Sequence, residues 1–253
     1  MQHKVLAILQ MGDPPLDIQQ KLGVQSDWVI AALPETSITV KVLYPASGDT
    51  LPEPHLLAGA ILTGSTSMVT DREPWSEYTA DWIRLAIEQQ LPLLGICYGH
   101  QLIAHALGGV VDYHPAGREI GQLPIQLHDG AQNDPLLAGL PPTFMANLTH
   151  EQSVLQPPEQ ATILASSEHD AHQILRYSPY ALSLQFHPEF STEVMSYFLS
   201  RREALFSTEG YDIPAMCAAL GSTPVARKIL HDFVELCATT PAVSNIGAAV
   251  NAN

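Results

Sequence analysis

Short uninterrupted apolar runs alternate along this chain with stretches whose apolar residues recur every three or four positions. Val5–Leu9 is such a run and reads as a buried strand. Ser26 is the N-cap candidate for an apolar-rich helix running through Leu33. Residues 38–44 (ITVKVLY) are β-branched and read as a strand, as do residues 60–63, which Gly64 ends. In residues 73–90, Trp75, Tyr78, Trp82, Leu85 and Ala86 return at helical steps, so this is an amphipathic helix with its aromatics in the core. Pro92 opens a strand, LPLLGI, and residues 99–107 form the next helix, stopped by Gly108 and Gly109. Strands alternating with helices predict an α/β protein: a mostly parallel sheet with helices on both faces.

From 110 to 186 the pattern changes. Strand-like runs at Glu119–Leu127, 144–148, 161–165, 174–177 and 181–186 are separated by turns, with little helical periodicity between them. They predict a small antiparallel section added to the sheet. Helical patterns return at 192–205, 214–220 and 224–237, and the small polar tail from Thr239 is expected to fray. Residues 1–205 therefore read as one α/β domain, and residues 206–253 as a helical extension packed on it. The extension carries Ile213, Met216, Leu220, Val225, Ile229, Phe233 and Leu236, mostly three or four apart. Such a stripe must be covered. Its own domain is the first candidate cover; a synthase partner or a second copy (a homodimer) is the other.

At 253 residues and 46% apolar content the chain can bury a core unaided. Its 11 Lys and Arg against 26 Asp and Glu leave a net charge of −15, which argues against general nucleic-acid binding and against docking on anionic membranes. The 11 histidines make that charge less negative below about pH 6. Three cysteines (Cys97, Cys217 and Cys237), none in a CxxC pair, supply no disulfide framework and suit a reducing compartment. The first apolar run is too short for a signal-peptide core, and no stretch reaches the ~20 apolar residues of a membrane span. A soluble cytoplasmic protein is the expectation.

Candidate chemistry concentrates in two segments. In Leu93-Leu94-Gly95-Ile96-Cys97-Tyr98-Gly99-His100-Gln101 an apolar strand runs through Gly-x-Cys-x-Gly into a helix. That is a nucleophile elbow with cysteine in place of serine. The tight turn exposes the side chain, the glycines let neighbouring backbone approach, and the helix N-terminus favours thiolate. A lone cysteine reads as a small buried hydrophobe; the flanking glycines reverse that reading. Ninety residues downstream, Gln185-Phe186-His187-Pro188-Glu189 places an imidazole and a carboxylate two apart, on one side of an extended chain. Cys97, His187 and Glu189 supply nucleophile, base and orienting acid.

GICYGHQ and QFHPE together resemble the paired signatures of class I, triad-type glutamine amidotransferases. Ile61-Leu62-Thr63-Gly64-Ser65 is similar to that family's glycine turn, Gly117-Arg118-Glu119-Ile120-Gly121 to the GREIG stretch of its GMP-synthase-like branch, and Thr149-His150-Glu151-Gln152-Ser153-Val154 to its S/T-H-x-D-x-V segment. The resemblance covers residues 1–205. It departs at Thr63-Gly64-Ser65, where Gly-Gly-Pro is common, and at Gln152, where aspartate is usual. It implies a flavodoxin-like α/β fold and a glutaminase that forms a γ-glutamyl thioester on Cys97. In that reading Gly64 and Tyr98 supply the oxyanion-hole amides, and Gln101, Thr149 and His150 bind substrate. The substrate is glutamine or a γ-glutamyl small molecule, and no metal or organic cofactor is required.

The Ser-Gly-Gly-x-Asp-Ser loop of a GMP-synthase pyrophosphatase domain is absent, which predicts a stand-alone enzyme or one subunit of a two-chain enzyme. A γ-glutamyl peptidase and a non-catalytic regulatory subunit that keeps the fold are the alternatives. The α/β-hydrolase elbow fits less well, because its acid precedes the histidine and here Glu189 follows His187. Other signals have plainer readings. His100 and His105 are five apart and read as packed or solvated. His169-Asp170-Ala171-His172 reads as a solvated loop, since no third ligand is placed. Gly64-Ser65-Thr66-Ser67 lacks the phosphate-loop pattern, and Cys217 and Cys237 read as buried small hydrophobes.

Overall fold

The structure, a computed structural model, describes residues 5–239; the tail expected to fray lies, beyond Thr239, outside the described residues. Strand β1 (Val5–Leu9) runs parallel to β2 (Thr39–Leu43) and to β3 (Gly59–Leu62), and β3 runs parallel to β4 (Leu93–Ile96). In β1, Leu6 and Ile8 join one apolar cluster while Ala7 and Leu9 join the other, the two-residue alternation of a strand buried on both faces. Helices α1 (Leu16–Leu22) and α2 (Gln25–Ala32) follow β1. α2 covers the first face through Val29 and Ala32. Helices α3 (Pro74–Glu88) and α4 (Tyr98–Ala106) cover the second through Ala80, Ile83, Leu102 and Ile103.

Beyond α4 come β5 (Val110–Tyr113), β6 (Glu119–Leu127), β7 (Thr143–His150), β8 (Gln152–Gln156), β9 (Thr162–Ser166), β10 (Ile174–Ser178) and β11 (Ala181–Leu184). The main sheet has the order β2-β1-β3-β4-β11-β10-β9-β6-β7, and β5 pairs with β8 apart from it. β11 is parallel to β4, whereas β10, β9, β6 and β7 are antiparallel to their neighbours. The run at 181–186 was expected within the antiparallel section, but it inserts beside β4. This places its C-terminal end next to the elbow.

Several boundaries differ from expectation. Helix α1 was missed, because Pro14 and Pro15 and its polar face obscure a helix of about two turns anchored by Ile18. Val24, not Ser26, is the N-cap of α2; Asp27 caps it by accepting from the Val24 N–H at 3.0 Å. Ser26 lies inside the helix, where its N–H donates to Gln10 Oε1 at 2.8 Å. The helix expected at 192–205 breaks at Arg202 into α5 (Thr192–Arg201) and α6 (Glu203–Thr208). α7 (Ile213–Ala219) and α8 (Pro224–Thr239) complete the described chain.

Helix α8 buries Ala226, Ile229, Leu230, Phe233, Val234 and Cys237 in the same cluster as β1 and β3. It comes close to β3 at Gly59, where a Cβ would stand 2.3 Å from Cys237 Sγ and 3.2 Å from the Pro92 carbonyl. Gly59→Ala is therefore expected to overpack this junction and lower stability by about 1–3 kcal/mol. A urea titration reads this as a lower midpoint at unchanged slope. A parental midpoint would mean that α8 yields there at no cost.

Candidate active site

Strand β4 delivers the chain into Cys97 at φ 50°, ψ −98°, a backbone conformation that a non-glycine residue adopts only at a cost of about 1–3 kcal/mol. The Cys97 N–H is tied to the Leu184 carbonyl at 2.8 Å, so β11 holds the turn. The two glycines have separate steric reasons. A Cβ at Gly95 would lie 2.6 Å from the Gly99 carbonyl oxygen, and one at Gly99 would lie 2.6 Å from that of Leu62. Only this spacing lets α4 start directly against β4 and β3. Among the described residues no hydrogen bond uses the backbone N–H of Gly64 or Tyr98, and Tyr98 is the first residue of α4.

His187 lies beyond β11, its N–H bound to the Asn147 carbonyl of β7 at 2.8 Å. Nδ1 is 2.7 Å from Glu189 Oε1, and both side chains are almost wholly buried. The imidazole stacks on Phe190 with ring centroids 4.0 Å apart. Its Cε1 approaches the glycine turn, where a Cβ at Gly64 would stand 2.9 Å from His187 Cε1 and 3.6 Å from Cys97 Cβ. Burial lowers the affinity of His187 for a proton, but the Glu189 carboxylate and the Cys97 sulfur outweigh it and push the pKa up to about 10. The structure thus brings Cys97, His187 and Glu189 together, with Gly64 close to Cys97 and Tyr98 next to it in the chain.

Cys97, His187, Gly64 and Tyr98 line a solvent-open cleft of about 130 Å³, and the wholly buried Glu189 does not reach it. Gln101, Thr149 and His150 line it too. Gln101 Nε2 donates to the Gln152 carbonyl at 2.6 Å and to Gln185 Oε1 at 3.1 Å. This leaves its Oε1 as an acceptor for a ligand N–H. His150 is braced between Glu119 Oε2 at 2.9 Å and the Gln152 carbonyl at 3.0 Å. The β6–β7 register sets Glu119 directly opposite His150, so the GREI and THEQ segments are cross-strand neighbours. Nothing in their 31-residue separation signalled this.

Sequence reading also missed the rim. Arg118 binds Glu151 Oε1 at 2.5 Å and Glu209 Oε2 at 2.6 Å, and Arg202 binds Glu151 at 3.2 Å. Both guanidiniums lie over the Phe206 ring, 5.4 Å from its centroid. These residues come from the loop before β6, the β7–β8 corner, the α5–α6 junction, and α6 with its C-terminal cap, so only tertiary structure assembles them.

His100 is packed, as one reading held. It is fully buried, with Nδ1 2.7 Å from Ser183 Oγ, and burial drops its pKa to about 3. The 169–172 segment is a loop but is not simply solvated. Asp170 is buried, takes the His172 N–H at 2.9 Å, and is held below the usual carboxylate range by His150 and these hydrogen bonds against the opposing effect of burial. Among the described residues no group of His, Cys, Asp and Glu could hold a metal ion, and no helix is long and apolar enough to cross a membrane.

Residues 26–204 match the family model of class I glutamine amidotransferases. A glutamine-hydrolysing GMP synthase of Aeropyrum pernix is 32% identical over 186 residues, which cover 72% of this chain and 32% of that protein. Gamma-glutamyl peptidase 5 of Arabidopsis thaliana is 26% identical over 145 residues, 56% of this chain and 58% of that one. The chain spans about a third or less of the GMP synthases it first matches. In fold it is similar to a glutamine amidotransferase from Thermotoga maritima, with a TM-score of 0.72 at 19% identity, over 95% of this chain and all of that one.

Proposed function

Because this chain belongs to the class I glutamine amidotransferase family, we infer that it hydrolyses the γ-amide of glutamine, or of a γ-glutamyl compound, through a thioester on Cys97. The observation that carries this reading is the buried His187–Glu189 pair set against Cys97 at the edge of the cleft. The sulfur attacks the γ-carbonyl carbon, and the oxygen that gains charge is met by the N–H groups of Gly64 and Tyr98. The C–N bond then breaks as His187 gives its proton to the departing nitrogen, and ammonia or an amine leaves. Now neutral, His187 takes a proton from water, which adds to the thioester and expels the sulfur, releasing glutamate. Glu189 keeps the ring oriented and stabilises its charged form. Gln101 Oε1, Thr149 and the braced His150 bound the substrate's place.

A γ-glutamyl peptidase would use the same steps with a larger leaving amine, and the likeness to gamma-glutamyl peptidase 5 of Arabidopsis thaliana favours keeping that reading. A synthase partner that consumes the ammonia fits the GMP synthases, in which the matching stretch is about a third of the protein. Ammonia release from glutamine by the isolated chain, assayed beside a panel of γ-glutamyl peptides, tests the proposal. Turnover of glutamine supports the glutaminase, and turnover confined to the peptides supports the peptidase. No turnover of either, with no acyl-enzyme on Cys97, would sink both and leave a non-catalytic subunit.

A further inference from the structure

The His-Pro-Glu turn is held both by strands of the main sheet and by the C-terminal extension. Asn147 of β7 takes the His187 N–H on its carbonyl and donates its own amide to the Phe190 carbonyl at 3.3 Å. Gln122 of β6 in turn donates to Asn147 Oδ1 at 3.2 Å. The extension grips this chain of contacts at two points. Gly221, just before α8, exchanges two hydrogen bonds with the Gln122 amide, at 2.7 and 3.1 Å. One turn into α8, Arg227 Nη2 reaches the carbonyl of Glu189 at 3.3 Å and that of Phe190 at 3.4 Å. Arg227 sits among buried neighbours, Ala226, Ile229 and Leu230, which fix the helix that carries it.

We propose that Arg227 is a positioning residue: its guanidinium spans the two carbonyls that follow Pro188 and fixes the His187–Glu189 pair against Cys97. This rests on the hydrolase reading above for its turnover assay alone. Glu189 is tied to the rest of the protein at its backbone, since its side chain spends Oε1 on His187 and leaves Oε2 buried without a partner among the described residues. A turn free to rock would move the carboxylate and imidazole together, and a misplacement of about 1 Å can cost 10²-fold in rate.

The test compares full-length Arg227→Met and Arg227→Lys with the parent by three readouts: kcat and KM on glutamine, the pH profile of kcat/KM, and the rate at which iodoacetamide labels Cys97 at neutral pH. Arg227→Met is expected to lower kcat about 10–100-fold with little change in KM, to slow labelling, and to move the alkaline limb to lower pH. The direction of that limb discriminates. The charged groups facing His187 are Glu189 and Cys97, and taking a positive charge from beside them would by itself raise the limb. Loosening the Glu189 contact lowers it. Arg227→Lys keeps a donor that reaches one carbonyl and is expected to recover part of the loss. Parental kcat, labelling and pH profile in Arg227→Met would overturn the proposal, as would a limb that moves up. If Arg227→Met does not fold, Arg227→Lys decides: parental values in all three readouts overturn the proposal, and a partial loss supports it. If the parent hydrolyses no glutamine yet Arg227→Met slows labelling, the positioning role stands and the substrate assignment falls.

Discussion

Cys97→Ala is expected to lower turnover by on the order of 10⁶-fold, the scale seen when a covalent nucleophile is removed, while the urea midpoint stays at or above that of the parent. The second half follows from the backbone. The side chain lost is a small one, and a residue forced to φ 50° stores strain that the substitution does not increase. A glutamine-like alkylator should accordingly label Cys97 and spare Cys217 and Cys237. Cys237 is buried under Gly59, and Cys217 sits on α7 with its sulfur directed at Ser200 Oγ and the Ser196 carbonyl. Labelling of all three at equal rates would show that the elbow confers no reactivity of its own.

His187→Ala removes both proton donor and base and is expected to cost about 10²–10⁴-fold. Glu189→Gln is the more informative change. The folded pKa of His187 lies above its unfolded value of 6.5, so its charged form stabilises the protein below that unfolded value, and the contribution is lost as pH rises through about 10. Turnover that needs imidazolium should therefore persist across neutral pH and fall on the alkaline side. Burial lowers this pKa and Glu189 is the first of the groups that raise it, so Glu189→Gln should draw the alkaline limb toward neutrality. A pH–rate profile in Glu189→Gln that overlays the parent's would remove Glu189 from the mechanism.

What the sequence could show divides along a physical line. β1, β3, β4 and α3 were legible because burial on both faces makes strands continuously apolar, and one-sided burial makes a helix periodic. The elbow was legible because its sterics are local: a Cβ at Gly95 or Gly99 would clash with atoms fixed by the turn itself or by the adjacent strand. β5 and β8 were missed because this two-stranded ribbon is largely exposed at Val110 and Tyr113 and at Leu155, which blurs any apolar pattern. The placement of β11 beside β4 was not legible either, since a run of four buried residues fits a parallel or an antiparallel neighbour equally well. The rim arginines and the Glu119–His150 brace depend on register between distant segments, and pair identity at that range leaves no local trace.

The seating of α8 against β1 and β3 also bears on how the site comes into being during synthesis. Cys97 leaves the ribosome long before His187, and His187 before the residues that secure its turn, because the chain emerges in sequence order at about 5–20 residues per second. The interior of the sheet is closed by Ile229, Leu230 and Phe233, among the last described residues to appear. Pairings this far apart form late, since the entropy of closing long loops must be overcome before they contribute. On the proposed reading, a nascent chain carries its thiol without the imidazole proposed to activate it, and the site is complete only once α8 has docked.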